Sequence, residues 1–290
     1  MDTNRYINCM ARKTSEGQLL LGDDATALFD CGMIFCADET IENVKTALRG
    51  RPLDYIFATH THYDHIGALP FFRDEWPEVR FVTTDIGAAV LLKDTPRRVI
   101  RELSASAAEL FRPEHIEACS KYDDNAFHAD IIVRDGDNIP LGGLTVRVLE
   151  TPGHTRDALS FFIPELKLLI LSESTGGILG DRFHSYYLTS CDSTISSINK
   201  CRALPFEFIS QAHNGIISPS ETAGYFDRAE AAARDCRDFI LSMHDKGMSE
   251  DEMIDAFTDK YLNRSLLDIQ PETPFRINAK ATIACTLRDF

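Results

Sequence analysis

Three histidines and an aspartate fall within six residues, His60-Thr61-His62-Tyr63-Asp64-His65, directly after the β-prone run DYIFAT at 54–59. Four side chains able to bind a cation, packed into so short a stretch, constrain the backbone more than any other feature of the chain. At a strand end, residues two apart share a face, so His60 and His62 are expected on one side. The chain must then turn to bring Asp64 and His65 to a neighbouring point, with Gly67 relaxing that turn. Only nine histidines occur in 290 residues, so this clustering points to a metal site. Neutral imidazole and carboxylate suit zinc, and also iron or manganese.

The surrounding pattern predicts layered sheet and helix. Residues 18–36 read as two strands around the turn Gly22-Asp23-Asp24, and 40–49 as a helix with Thr40 as N-cap. Residues 66–75 read as one helix, and 79–83 as a strand. Thr95-Pro96 opens a helix whose apolar residues recur at helical spacing to Phe111, and 113–120 predicts a shorter one. Together, 95–130 has the character of a helical insertion between sheet segments. Strands are expected at 144–149, at 160–163 with 166–171 as a hairpin, and at 206–209. From 218 onward the chain is helical, Gly247 ending one helix and Ser249-Glu250-Asp251-Glu252 forming a capping box for the next. This predicts a core over 1–217 and a C-terminal helical extension over 218–290 packed on it.

Composition narrows the classes. The eight cysteines are scattered without a CxxC pair, which argues against zinc ribbons and disulfide frameworks and for buried free thiols. A formal charge of −15 disfavours nucleic acid as a partner. No stretch reads as a signal peptide or membrane span, so a cytoplasmic location and no membrane association are expected.

The hexapeptide 60–65 resembles the HxHxDH motif of the metallo-β-lactamase superfamily, and the resemblance extends over about 15–217. It implies a four-layer αβ/βα sandwich of the α/β class, with a metal site at one edge of two facing sheets. It also implies two divalent metal ions, zinc first. His60, His62 and His154 (in Thr151-Pro152-Gly153-His154-Thr155) would serve one ion, and Asp64, His65 and His213 the other. Asp64 is taken as catalytic as well as a ligand. The family's bridging carboxylate is an aspartate, whereas Leu171-Ser172-Glu173-Ser174 offers only Glu173, whose carboxylate reaches further by roughly one bond length. Thr59, Thr61 and Thr155 are candidates to hold the imidazoles. His184, Tyr186, Tyr187 and Ser190 follow Glu173, where this fold lines its substrate pocket; His184, Tyr187 and Ser190 are taken as substrate-binding. The helical insertion and tail are similar to the branch containing the quinolone-signal response thioesterase, which implies an ester-like substrate and a homodimer.

Two cations about 3.5–4 Å apart can share a water and acidify it toward neutral pH, giving a hydroxide nucleophile. The expected function is therefore a metal-dependent hydrolase acting on a small-molecule ester, thioester, lactone or phosphodiester. The alternative is a non-enzymatic regulatory or interaction protein that retains the metal site, suggested by Glu173 in place of aspartate. A flavin-coupled diiron oxygen reductase fits less well, because that branch usually has glutamate where His62 stands.

Overall fold

Along the central strands apolar residues occupy both faces of the sheet, and the two sets of side chains enter different cores. The computed structural model describes residues 4–12, 16–179, 182–185, 187–267 and 270–290. The first sheet runs in spatial order β1 (Tyr6–Asn8), β2 (Gln18–Leu21), β3 (Thr26–Phe29), β4 (Tyr55–Phe57), β5 (Arg80–Thr83) and β6 (Ile131–Ile132). Strands β1 to β3 pair antiparallel, and β3 to β6 pair parallel. The second sheet uses β7 (Asn138–Pro140), β8 (Thr145–Glu150), β9 (Leu159–Ile163) and β10 (Leu168–Ile170). A separate ribbon of β11 (Gly177–Leu179) and β12 (Arg182–His184) comes next in the chain, then β13 (Phe208–Gln211) and β14 (Gly215–Ile216). The second sheet has the order β14-β13-β10-β9-β8-β7, with β13 parallel to β10 and the other pairs antiparallel. Strands β8, β10 and β13 thus all run in one direction.

Leu20, Phe29, Phe57 and Val82 of the first sheet meet Val148, Phe161 and Ile170 of the second in one core. Phe29, Phe57 and Phe161 form its centre, with ring centroids 4.9–5.4 Å apart, a spacing that adds aromatic contact to plain burial. Their sequence neighbours Leu19, Leu28, Ile56 and Phe81 face the opposite way, as the twofold period of a strand requires. They pack on helices α1 (Ala37–Leu48), α2 (Tyr63–Ile66), α3 (Leu69–Glu75), α4 (Asp85–Leu91) and α5 (Asp94–Phe111). Behind the second sheet, Leu149, Phe162, Leu169 and Ile209 pack on α6 (Cys191–Arg202) and, after the short α7 (Pro219–Thr222), on α8 (Tyr225–Asp245). The order of layers is helix, sheet, sheet, helix. Helices α9 (Glu250–Tyr261), α10 (Arg264–Leu267) and α11 (Glu272–Asp289) join α8 in a further apolar cluster with Leu179, Tyr187 and Cys191.

The structure shifts several predicted bounds. Helix α1 starts at Ala37 because a 3-10 turn, Ile34–Cys36, feeds straight into it, so Thr40 is a buried interior residue and not the cap. The single helix expected over 66–75 is two, α2 and α3, with Pro70 in the first turn of the second, where a missing N–H costs nothing. Residues 113–120 form a 3-10 stretch. The capping box at Ser249 and Glu252 is present. All eight cysteines are free and buried. Among the described residues no helix is long and apolar enough to cross a membrane.

Candidate metal centre

The site is built from residues just past the carboxyl ends of strands: Asp30 after β3, the 60–65 hexapeptide after β4, His154 after β8, Glu173 after β10 and His213 after β13. Both sheets point these ends toward one edge, which is how residues far apart in sequence meet. Two groups form there, His60, His62, His154 and Glu173 in one, and Asp64, His65, His213 and Glu173 in the other. Within each group the potential ligand atoms lie within 4.8 Å of one another. All seven side chains picked out in the sequence as metal ligands are thus brought together.

Glu173 belongs to both groups. It opens a 3-10 turn, Glu173–Thr175, directly after β10 and Ser172. One carboxylate oxygen, Oε2, stands 2.7 Å from His154 Nε2, and the other, Oε1, stands 2.8 Å from His213 Nε2. In the first group His62 Nδ1 is 3.0 Å from His154 Nε2. In the second, Asp64 Oδ2 is 3.6 Å from His213 Nε2 and 3.8 Å from His65 Nε2.

Glycine is required at two bends of this framework, for different reasons. Gly153 has φ +149° and sits against Thr194 of α6, leaving no room for a Cβ. Gly67 has ordinary helical φ, so the predicted need for backbone freedom does not apply. A Cβ there would instead run into the carbonyl oxygen of Tyr63.

Buried carboxylates outside the ligand set hold the rings. His65 Nδ1 donates to Asp30 Oδ2 at 2.9 Å, and the Thr59 hydroxyl donates to the same oxygen at 2.7 Å. That hydroxyl oxygen lies 3.2 Å from His60 Nδ1. His213 is at φ +60°, a strained value for a non-glycine residue. Its backbone N–H donates to the buried Glu16, whose Oε1 is also 3.3 Å from the ring Nδ1. Asp157 Oδ2 accepts the Thr61 N–H at 3.0 Å and pins the bend between His60 and His62. Of the three threonines proposed to orient imidazoles, only Thr59 does so; Thr61 contributes its backbone, and the Thr155 hydroxyl has no hydrogen-bond partner. Glu16, Asp30 and Asp157 went unrecognised in the sequence. The one available signal was an acidic residue in or beside an apolar strand run.

Electrostatics separates the two groups. Burial, reinforced by the neighbouring imidazoles, pushes His60 well below the usual range, and burial with His154 lowers His62 to about 4. Both stay neutral, the form that donates a lone pair to a cation. Burial also opposes charge on His65 and His213, but carboxylates outweigh it. Asp30 and Asp64 lift His65 well above its ordinary value, and Glu173 and Glu16 lift His213 to about 9. Burial works against the Glu173 carboxylate too, yet the nearby charge of His154 and the hydrogen bonds of His154 and His213 hold its pKa well down.

The residues fit a pair of cations. Nε2 of His60 and Nε2 of His65 are buried without a hydrogen-bond partner, an arrangement that costs stability unless another group satisfies them, as a cation would on an unprotonated ring.

The sequence profile of the metallo-beta-lactamase superfamily matches residues 19–213, more than half of the chain and every residue of both groups. The chain belongs to this superfamily. It is 36% identical over 104 residues to a hydroxyacylglutathione hydrolase of Rhodopseudomonas palustris strain HaA2, covering 35% of this chain and 39% of that protein. It is 26% identical over 178 residues to a probable metallo-hydrolase of Burkholderia pseudomallei, covering 58% and 53%. The chain therefore spans about two fifths to one half of these curated relatives. In three dimensions it is similar to a metallo-beta-lactamase family protein of Thermus thermophilus, with TM-score 0.59 and 17% identity over 94% of this chain and 87% of that one. That likeness shows the shared fold.

In this superfamily member His62, Asp64, His154, Glu173 and His213 of the two groups line a cavity of about 460 Å³. Leu188 and Thr189 contribute to its wall, but the three residues predicted to bind substrate do not. Tyr187 is fully buried among the C-terminal helices, its hydroxyl 2.9 Å from Thr286 Oγ1. Ser190 caps α6, accepting from the Ser193 N–H. His184 is buried on β12, with Nε2 3.4 Å from Asn263. Nearness in sequence to Glu173 placed them correctly along the chain, but their side chains turn into the helical layer. Tyr186 lies outside the described residues.

Proposed function

We propose that this protein is a metal-dependent hydrolase with two divalent ions, zinc first, acting on an ester, thioester, lactone or phosphodiester. The observation that carries the reading is Glu173, which offers one oxygen to each of two ligand groups while two buried imidazole nitrogens lack any other partner. His60, His62 and His154 would hold one ion, Asp64, His65 and His213 the other, and Glu173 both. When bound, such ions polarise an acyl or phosphoryl oxygen and bring the pKa of water toward neutrality.

The chain's own groups do the rest. Asp30 and Thr59 fix the rings of His65 and His60, and Glu16 fixes His213. Asp64 stands in the cavity wall, where the carboxylate oxygen not given to the second group can take up the proton that an attacking water loses. The place of Glu173 in both groups weakens the non-enzymatic alternative, because the substitution for aspartate still leaves one carboxylate oxygen facing each group. An ester or thioester is favoured by the resemblance of the helical insertion and tail to the thioesterase branch, and by the hydroxyacylglutathione hydrolase relative.

Purified protein is expected to carry about two equivalents of metal and to lose turnover when a chelator removes them. Full turnover by a metal-free preparation, measured by elemental analysis beside the rate, would overturn the proposal. His62→Ala should abolish activity against every substrate of a broad panel.

A further inference from the structure

The cavity above the ligand groups is walled by two elements added to the sheet sandwich. On one side stand Ile86 and Val90 of α4 with Val99 and Leu103 of α5. Leu266 of α10 and Ile277 of α11, which lie beyond the segment matched by the superfamily profile, also line the cavity. Ile86, Val99 and Ile277 are 44%, 39% and 54% exposed. Single exposed apolar residues are ordinary, but these three converge on the mouth of one pocket from three helices, where a ligand would remove them from water. A volume of about 460 Å³ is that of a site for one small molecule. Among the described residues, the carboxylates in its lining, Asp64, Asp157 and Glu173, all sit at the ligand-group end, and Arg156 is the single lysine or arginine lining it. A polyanion would find too few partners here, and an uncharged apolar group would find a matched surface.

We infer that the substrate is a carboxylic ester or thioester carrying an apolar chain or ring, which the α4–α5 insertion and the C-terminal helices grip while its carbonyl lies over the two ligand groups. This rests on the hydrolase reading and narrows its substrate class, excluding phosphodiesters. In the reaction water adds to the acyl carbon, and the carbon–oxygen or carbon–sulfur bond breaks. The alcohol or thiol leaves with a proton, and a carboxylic acid remains.

The test uses the metal-loaded full chain and two homologous series, acyl thioesters of N-acetylcysteamine from acetyl to decanoyl and acetate esters from ethyl to decyl. Each methylene that enters the pocket should raise kcat/KM about fourfold, so one of the series should gain on the order of a hundredfold over four methylenes. The series that responds tells whether the apolar group is on the acyl or the alcohol side. Ile277→Asp and Val99→Asp should each cut the long-to-short ratio about tenfold or more. Leu110→Asp, an exposed α5 position outside the cavity, should leave that ratio unchanged. An active enzyme with a flat response in both series overturns this inference and leaves the hydrolase reading standing. If no ester or thioester is turned over, binding decides independently. One equivalent of the neutral dye N-phenyl-1-naphthylamine, displaced by decanamide and lost in Ile277→Asp, supports the apolar site without the hydrolase reading. Absence of dye binding overturns the inference.

Discussion

The two halves of the candidate metal centre share Glu173 and a common strand edge, yet they are stabilised differently. The half with His60, His62 and His154 is an assembly of imidazoles of which burial keeps His60 and His62 neutral. Its third ring is placed by a Gly-His turn braced against α6, where Ser197 Oγ donates to the Pro152 carbonyl at 2.7 Å. The half with Asp64, His65 and His213 leans on buried carboxylates, Asp30 and Glu16, and both Asp30 and His213 adopt positive φ, at 56° and 60°. The contrast teaches that one half is set by packing and the other by charge. A positive charge is attracted to the second half whether it arrives as a proton or as a metal ion, whereas His60 and His62 of the first half offer lone pairs with no proton to displace.

The largest effect should follow from removing what the halves share. Glu173→Gln keeps the shape and deletes the charge facing both His154 and His213. It is expected to lower kcat/KM by more than the ~100-fold that an outer partner is worth, with metal content falling at both positions. Glu173→Asp restores the charge with a shorter reach and should recover part of the loss. Retention of full metal content in Glu173→Gln would break the idea of a shared ligand.

A smaller and more selective loss is expected from Glu16→Gln, which touches only the charge-backed half. The second metal should bind ~10–100-fold more weakly while the first is retained, as read by competitive zinc titration. Asp30→Asn should be less selective, because Asp30 also holds Thr59, which contacts His60. Equal loss of both ions in Glu16→Gln would erase the comparison.

The halves should also respond differently to acid. His213 is raised to about 9 in the metal-free protein, so below that pH a metal must displace its proton. Affinity of the second position should then fall by about tenfold per pH unit from 8 down to 5, and more steeply where His65 also carries a proton. In the first position His60 and His62, held low by burial, have no such proton to lose across that range, so its affinity should fall less steeply than that of the second. Calorimetric titration at several pH values, with buffers of different ionisation enthalpy, separates the two.

The residues that gather into the two groups were legible in the sequence because they are local or motif-bound: four occupy one hexapeptide, and Gly153-His154 and His213 each follow an expected strand. The alternation of sheet and helix was legible from short apolar runs, while the four-layer sandwich was an implication of the motif's resemblance to the family. The supports were not legible. Glu16 meets His213 across 197 positions, and a single acidic residue has no periodicity to announce it. Helix α6 was missed because its buried face is made of Cys191, Thr194, Ser197, Ile198 and Cys201, residues too polar or too small to register as an apolar stripe. The signal that could have found it was Ser190 followed by Asp192, an N-cap with an acid in the first turn.

Ser190 gives the finest test, because its two readings predict different measurements. As the cap of α6 it stabilises the helix that braces Gly153 and, through it, His154 on the packing-set half. Ser190→Ala should then cost about 1 kcal/mol of unfolding free energy, visible as a lower midpoint in urea. Metal affinity at the first position should weaken by no more than a few-fold, with the second position and KM unchanged. Were Ser190 a substrate ligand, the variant would instead raise KM at constant stability. That outcome would require its side chain to leave the Ser193 N–H, to which it bonds at 3.2 Å, and turn toward the cavity.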